Sequence, residues 1–223
     1  MEEPQQEPQL ADARSAGSAW VRAARSGGPL GRTALLLGAA CWALAPLAMP
    51  PGYVPWRHTI SELAAQGLAH AGLARAGLAL WGLAGGCAAA VRPGAASPVV
   101  RLGLAGFGLS MAASAVWSHR PWLPGVGYSA QEDQWHSVAA SLAGTCIVLA
   151  LSTYHLARCW QRRSPDALAW VAWGSAWLCP LLMLALPAAA GAWQRAMFAV
   201  VGLWLWRVLG GQPEDTTSVR RLD

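Results

Sequence analysis

Six apolar runs leave this chain few choices of fold. They lie near residues 33–50, 70–91, 99–117, 135–156, 167–187 and 193–209. Each is close to the ~20 residues that a helix needs to cross a ~30 Å hydrocarbon core. Proline and glycine mark the breaks between them, at Pro50-Pro51-Gly52, Arg92-Pro93-Gly94, Pro121 with Pro124-Gly125, Ser164-Pro165, and Pro187. The expectation is an all-α integral membrane bundle of six transmembrane helices, with a short interfacial helix after the first. It occupies residues 31–210, between a disordered cytoplasmic tail at 1–30 and a flexible cytoplasmic tail at 211–223.

Composition agrees with a membrane setting. The 223 residues are 55% hydrophobic and 12% charged, whereas a soluble domain carries about a quarter of its residues charged. All 16 cationic side chains are arginine. They sit beside apolar runs and form no basic patch with interleaved aromatics, so nucleic acid is not an expected partner. The expected partners are the lipid bilayer and a lipid or small amphipathic ligand, and the sequence leaves the oligomeric state open. Cys41, Cys87, Cys146, Cys159 and Cys179 show no Cys-x-x-Cys spacing, which argues against a disulfide framework or a zinc ribbon.

Orientation follows from where arginine collects. With a cytoplasmic N-terminus, Arg22, Arg25, Arg32, Arg92, Arg101, Arg158, Arg162, Arg163 and Arg207 lie inside. Arg57, Arg75, Arg120 and Arg195 lie outside. Both termini are then cytoplasmic. Small residues suggest the centre of the bundle: Gly72, Gly77, Gly82 and Gly86 on the second helix, and Gly103, Gly106 and Gly108 on the third, would let backbones approach.

In that frame the ionisable groups gather at the outer ends of helices. Of the four carboxylates between residues 33 and 209, Glu62, Glu132 and Asp133 are on that side and Asp166 is not. Thr59-Ile60-Ser61-Glu62 has the S/T-x-x-E form of a capping box, and Ser129 with Glu132 can cap the fourth helix in the same way. His136 follows Asp133 by three positions and Glu132 by four, so an acid can share its helix face and orient the imidazole. Arg195, preceded by Gln194, either snorkels to lipid phosphate or pairs with Asp133, Glu132 or Glu62.

Two functions are open on these residues. One is a polar pocket in which Arg195, Gln194, His58, Ser61 and His119 bind a ligand, Arg195 taking an anionic group and Glu62 an amine or hydroxyl. The other is a membrane-embedded hydrolase, isomerase or cyclase with His136 as acid or base, Asp133 positioning it and Glu62 as its complement. A Ser61, His136 and Asp133 nucleophile arrangement belongs to this second class. His58, Glu62, His119, Asp133 and His136 could supply zinc ligands, but no His-Glu-x-x-His or His-x-x-x-His pair is present, so no metal and no cofactor is assigned.

An Ile-Ser-Glu-Leu box (Ile60–Leu63), a polar turn before a fourth helix that opens with His136, and a Gly-x-x-Gln-Arg run (Gly191–Arg195) follow one another in order. This order resembles the bacterial and archaeal membrane proteins of the domain of unknown function 998 family, over about residues 33–209. The resemblance implies six transmembrane helices in a cell membrane, the bacterial inner membrane in the leading case, and no established activity. The family's box is followed by Gly and Ala and its turn carries an aspartate; here Ala64-Ala65-Gln66-Gly67 follows, and the acid is Asp133. A fainter similarity to alkaline ceramidase hydrolases stops at the last helix, which contains none of their paired histidines.

Overall fold

The computed structural model describes residues 27–91, 97–162, 164 and 166–210; residues 1–26 of the tail expected at 1–30, and the tail expected at 211–223, lie outside the described residues. Among the described residues the chain is all-α. The helices are α1 (Gly27–Ala48), α2 (Ile60–Leu63), α3 (Ala71–Ala90), α4 (Pro98–Val116), α5 (Ala130–Trp160), α6 (Ala167–Ala185) and α7 (Ala190–Leu209). Residues 27–30, expected in the tail, form the first turn of α1.

Five helices, α1, α3, α4, α5 and α6, are long and apolar enough to cross a membrane. With 20 residues α7 has the length, since ~1.5 Å per residue carries it about 30 Å. Gln194, Arg195 and Arg207 interrupt it, so no stretch of membrane-spanning length in it is as apolar as those of the other five.

Local chemistry sets the helix ends. Ser97 accepts a bond from the Val100 amide ahead of α4 and is followed by Pro98, whose fixed φ suits a first helical turn. Asp166 accepts from the Ala169 amide at 2.8 Å and caps α6. Pro46 ends α1 in a 3-10 turn, Ala45–Ala48. At 31 residues α5 runs well past its apolar stretch at both ends, because Ser129 caps it early and Arg158 complements its C-terminal dipole.

Among α2–α7 the most extensive helix contact is between α3 and α4, followed by α4 with α5. Glycine makes the first possible: a Cβ on Gly82 would lie 2.7 Å from the Gly108 carbonyl oxygen, and one on Gly85 would lie 2.9 Å from the Gly108 Cα. Gly103 meets the α5 backbone at Cys146 and Ala150 in the same way. Gly77 instead receives Trp42 of α1, while Gly72 and Gly86 face open space. Trp42 stacks on Trp81 and Phe198 packs against both, at centroid distances of 4.9–5.2 Å, which joins α1, α3 and α7. All five cysteines are free thiols.

The bundle has two polar ends. One collects the loops before α2 and α3, the α4–α5 connection and the start of α7. At the other, Arg207 pairs with Asp166 at 3.1 Å, Arg32 donates to the Trp206 carbonyl and lies over its ring, and Arg101 donates to the Ala89 carbonyl.

Candidate functional site

The first of these ends holds two side-chain clusters. In one, the loop of residues 53–58 folds over the start of α7. The amides of Gly191 and Ala192 donate to the carbonyls of Arg57 and Trp56 at 3.1 and 2.8 Å. One turn later Arg195 donates from Nη1 to the carbonyls of Pro55, His58 (2.8 Å) and Gly191 (3.0 Å), and from Nη2 to the Tyr53 hydroxyl at 2.6 Å. Gly191 permits this closeness, since any Cβ there would collide with the carbonyl oxygens of His58 and Pro55. Gln194 accepts from the Ile60 amide at 2.5 Å.

His58 takes part through its ring and its carbonyl. Its Nδ1 accepts from the Val54 amide at 3.0 Å, and its ring stacks on Trp122 at 4.6 Å. Burial pushes its pKa below the ordinary 6.5, with Glu62 opposing and Arg57 and Arg195 adding to the shift. Burial raises the Tyr53 phenol above its ordinary 10.0, against the pull of Arg195. Glu62 turns back on its own helix: its Oε2 accepts from the Thr59 amide at 2.7 Å and from the Thr59 hydroxyl at 3.0 Å, which completes the capping box.

The second cluster ties the end of α4 to the start of α5. Glu132 accepts from the Ser118 amide and Asp133 from the Arg120 amide, both at 2.8 Å, and His119 Nδ1 lies 3.1 Å from Asp133 Oδ1. His136 is only 2% exposed, and its Nδ1 is 2.8 Å from the Trp117 carbonyl oxygen. A carbonyl only accepts, so Nδ1 carries the proton and Nε2 of the neutral ring is an acceptor. That Nε2 is buried with no hydrogen-bond partner in the protein, and so is the hydroxyl of Ser118, whose residue is 0% exposed.

Gln66 joins this cluster to the α2–α3 connection. Its Nε2 donates to the carbonyls of Ser118 and Ser129, its Oε1 accepts from the Ser129 amide at 2.7 Å, and its own amide donates to the His119 carbonyl.

The geometry corrects two sequence expectations. Arg195 pairs with none of Asp133, Glu132 and Glu62; loop carbonyls and a phenol take its place. Neither Asp133 nor Glu132 orients His136, because both are bonded to the 118–120 backbone and the Trp117 carbonyl does that work. Arg195, Gln194, His58 and Glu62 share one cluster, with Ser61 on the α2 turn beside them, and His119, Asp133 and His136 share the other. Among the described residues no three His, Cys, Asp or Glu side chains are placed to hold a metal ion.

Beside the second cluster a groove of about 250 Å³ runs between α4 and α5, lined by Leu109, Ser110, Ala113, Trp117, Trp135 and Leu142 among others. Leu109, Trp117, Trp135 and Leu142 are 39–74% exposed, so it opens sideways. Trp117 and Trp135 pack at 5.7 Å across the end of it nearest the α4–α5 connection.

Ser118, Gln66, Tyr53 and His155 were not singled out from sequence. His155, near the opposite end, is 6% exposed, bonded through Nε2 to the Ala169 carbonyl and packed 4.2 Å from Trp170. A serine after a helix end and a glutamine after a turn carry no signal of their own; only the tertiary pairing gives them a role.

A family model described as protein of unknown function (DUF998) matches residues 33–209. The chain belongs to this family. The matched region takes in every described helix from α2 to α7, including the Ile60–Leu63 box and the Gly191–Arg195 run that meet at Gln194. No curated protein and no solved structure matches the chain.

Proposed function

We propose that this DUF998 protein is a six-span protein of the cell membrane, in the leading case the bacterial inner membrane, that binds a lipid or small amphipathic molecule at its first polar end. Both termini are then cytoplasmic, α7 is the sixth span, and α2 is the interfacial turn. Arg32, Arg101, Arg158 and Arg207 at the opposite end support that orientation. The observation that carries the binding role is the groove between α4 and α5. Its apolar walls open sideways, and Trp117 and Trp135 pack against each other at one end of it. A hydrocarbon chain lies along the groove and the polar head reaches the second cluster. Arg195 and Glu62 build the wall of that end by holding the 53–58 loop and α2.

Photolabelling tests this. A diazirine-bearing fatty-chain probe should label residues of Leu109–Trp117 and Trp135–Leu142 in the protein in lipid nanodiscs, and Ala113→Trp should remove that label. Equal labelling on all lipid-facing helices would refute it.

A membrane-embedded enzyme is the second reading, favoured by one observation. His136 offers an unengaged Nε2 acceptor with the His119 ring 5.4 Å away and itself paired to Asp133. His136 is then the base and His119 the group that passes its proton outward. Turnover of an added lipid by wild type, absent in His136→Gln, would decide for it.

A further inference from the structure

We propose a second site at the opposite polar end, independent of the groove between α4 and α5, in which Arg158 and Arg207 hold a phosphate group and the Tyr154 hydroxyl is a third donor. Three helices bring these residues together. Tyr154 on α5 packs edge-on against Trp204 on α7 at 6.0 Å. Both helices run toward this end, and one turn beyond that contact come Arg158 and Arg207, four and three residues on, along the same helix faces. The connection that enters α6 receives both. Arg158 Nη2 donates to the Ser164 carbonyl at 3.2 Å, and two residues later Asp166 pairs with Arg207 Nη1 at 3.1 Å. Arg158, Asp166 and Arg207 are also the charges that bear on the Tyr154 phenol.

The charges leave one cation over. Each arginine sits in the last turn of its helix, where it offsets the carbonyl end. Asp166 is the only carboxylate among the described residues of this end, and its Oδ1 is taken by the Ala169 amide that it caps. Arg207 uses one nitrogen on Asp166 and Arg158 one on a neutral carbonyl, so both guanidinium forks keep donors to spare. The Arg207 and Asp166 side chains are 53% and 36% exposed, so an anion can reach them. A phosphate can take both forks and the phenol at once, because even a diester has four oxygens, whereas a carboxylate has two. The depth suits a headgroup, since Trp160 and Leu156 on the flank of α5 are 87% and 67% exposed and mark the edge of its apolar surface.

Native mass spectrometry of the full chain in a non-ionic detergent tests this with two lipids of the same chains, dioleoyl phosphatidylglycerol and the phosphate-free dioleoylglycerol. The phosphatidylglycerol should bind about tenfold more tightly, the scale of one bond to a charged donor. Arg158→Gln combined with Arg207→Gln should erase that preference. Arg101→Gln should keep it, since Arg101 is a cation of the same end that is bonded to the Ala89 carbonyl. A preference lost only in the double variant assigns the phosphate to a lipid. If instead the two lipids bind alike, and millimolar inorganic phosphate raises the melting temperature of wild type but not of the double variant, the phosphate is a soluble one. Neither effect in wild type, or either one undiminished in the double variant, overturns the site. Tyr154→Phe keeps the ring against Trp204 and should weaken binding of the preferred probe about threefold. Unchanged binding in that variant overturns the three-donor arrangement, and this measurement decides where the double variant does not fold.

Discussion

Arg195 Nη2 donates to the Tyr53 hydroxyl at 2.6 Å, although 142 positions separate the two residues. Together with the carbonyls of Pro55 and His58, this fastens α7 to the loop that follows α1. Bonds from a charged donor are worth about 1.5–3 kcal/mol each, and stranded acceptors add a desolvation penalty. Arg195→Met should therefore lower stability by about 2–3 kcal/mol. Arg195→Lys should restore only part of that, because an ammonium lacks the planar fork that reaches phenol and carbonyls together. Thermal unfolding of the purified protein in detergent checks both; a lysine variant as stable as wild type would show that charge alone matters.

How far this end was legible in the sequence depends on the type of signal. The helices and the capping box were readable because their determinants are local: apolar runs of spanning length, and a threonine three residues before a glutamate. The gathering of Glu62, His136 and Arg195 at one end followed from topology. Their division into two clusters did not, since it depends on which carbonyls face α7 and on Gln66 bridging two connections. His136 also drew attention to the wrong partners, because helix spacing brings Asp133 and Glu132 near it while the backbone beyond α4 competes for both acids and wins.

Glu62 makes the case testable. Its carboxylate is spent on the Thr59 amide and hydroxyl, so its loss should be that of a cap. Glu62→Ala should cost about 1 kcal/mol, and Glu62→Gln, which keeps an acceptor in reach, should cost less. Amphiphile binding by the glutamine variant should match wild type. A selective loss of binding without loss of stability would return Glu62 to the ligand.

The α3–α4 contact gives an internal comparison. A Cβ on Gly108 would sit 2.7 Å from both the Gly82 carbonyl oxygen and the Gly86 amide nitrogen, whereas a Cβ on Gly86 would meet nothing within 4 Å. Gly108→Ala should push the two backbones apart at a cost of about 1–3 kcal/mol. Gly86→Ala should be neutral or gain up to about 1 kcal/mol, because it removes backbone freedom from a helix interior without a clash. Equal effects in a detergent melt would mean that the helices are not in backbone contact.

Acid should weaken the loop that Arg195 holds. Burial keeps the His58 pKa below 6.5 in the folded chain, and its Nδ1 can accept from the Val54 amide only while unprotonated. Below about pH 6.5 the unfolded chain therefore binds a proton that the folded chain resists, and stability falls as pH drops through that window to the folded pKa. Above it the contribution is complete and flat. His58→Phe keeps an aromatic ring against Trp122 but cannot titrate, so it should be less stable than wild type at pH 7.5 and lose less on going to pH 5. Paired melts at the two pH values measure this directly; parallel losses in wild type and variant would assign the acid sensitivity to another group.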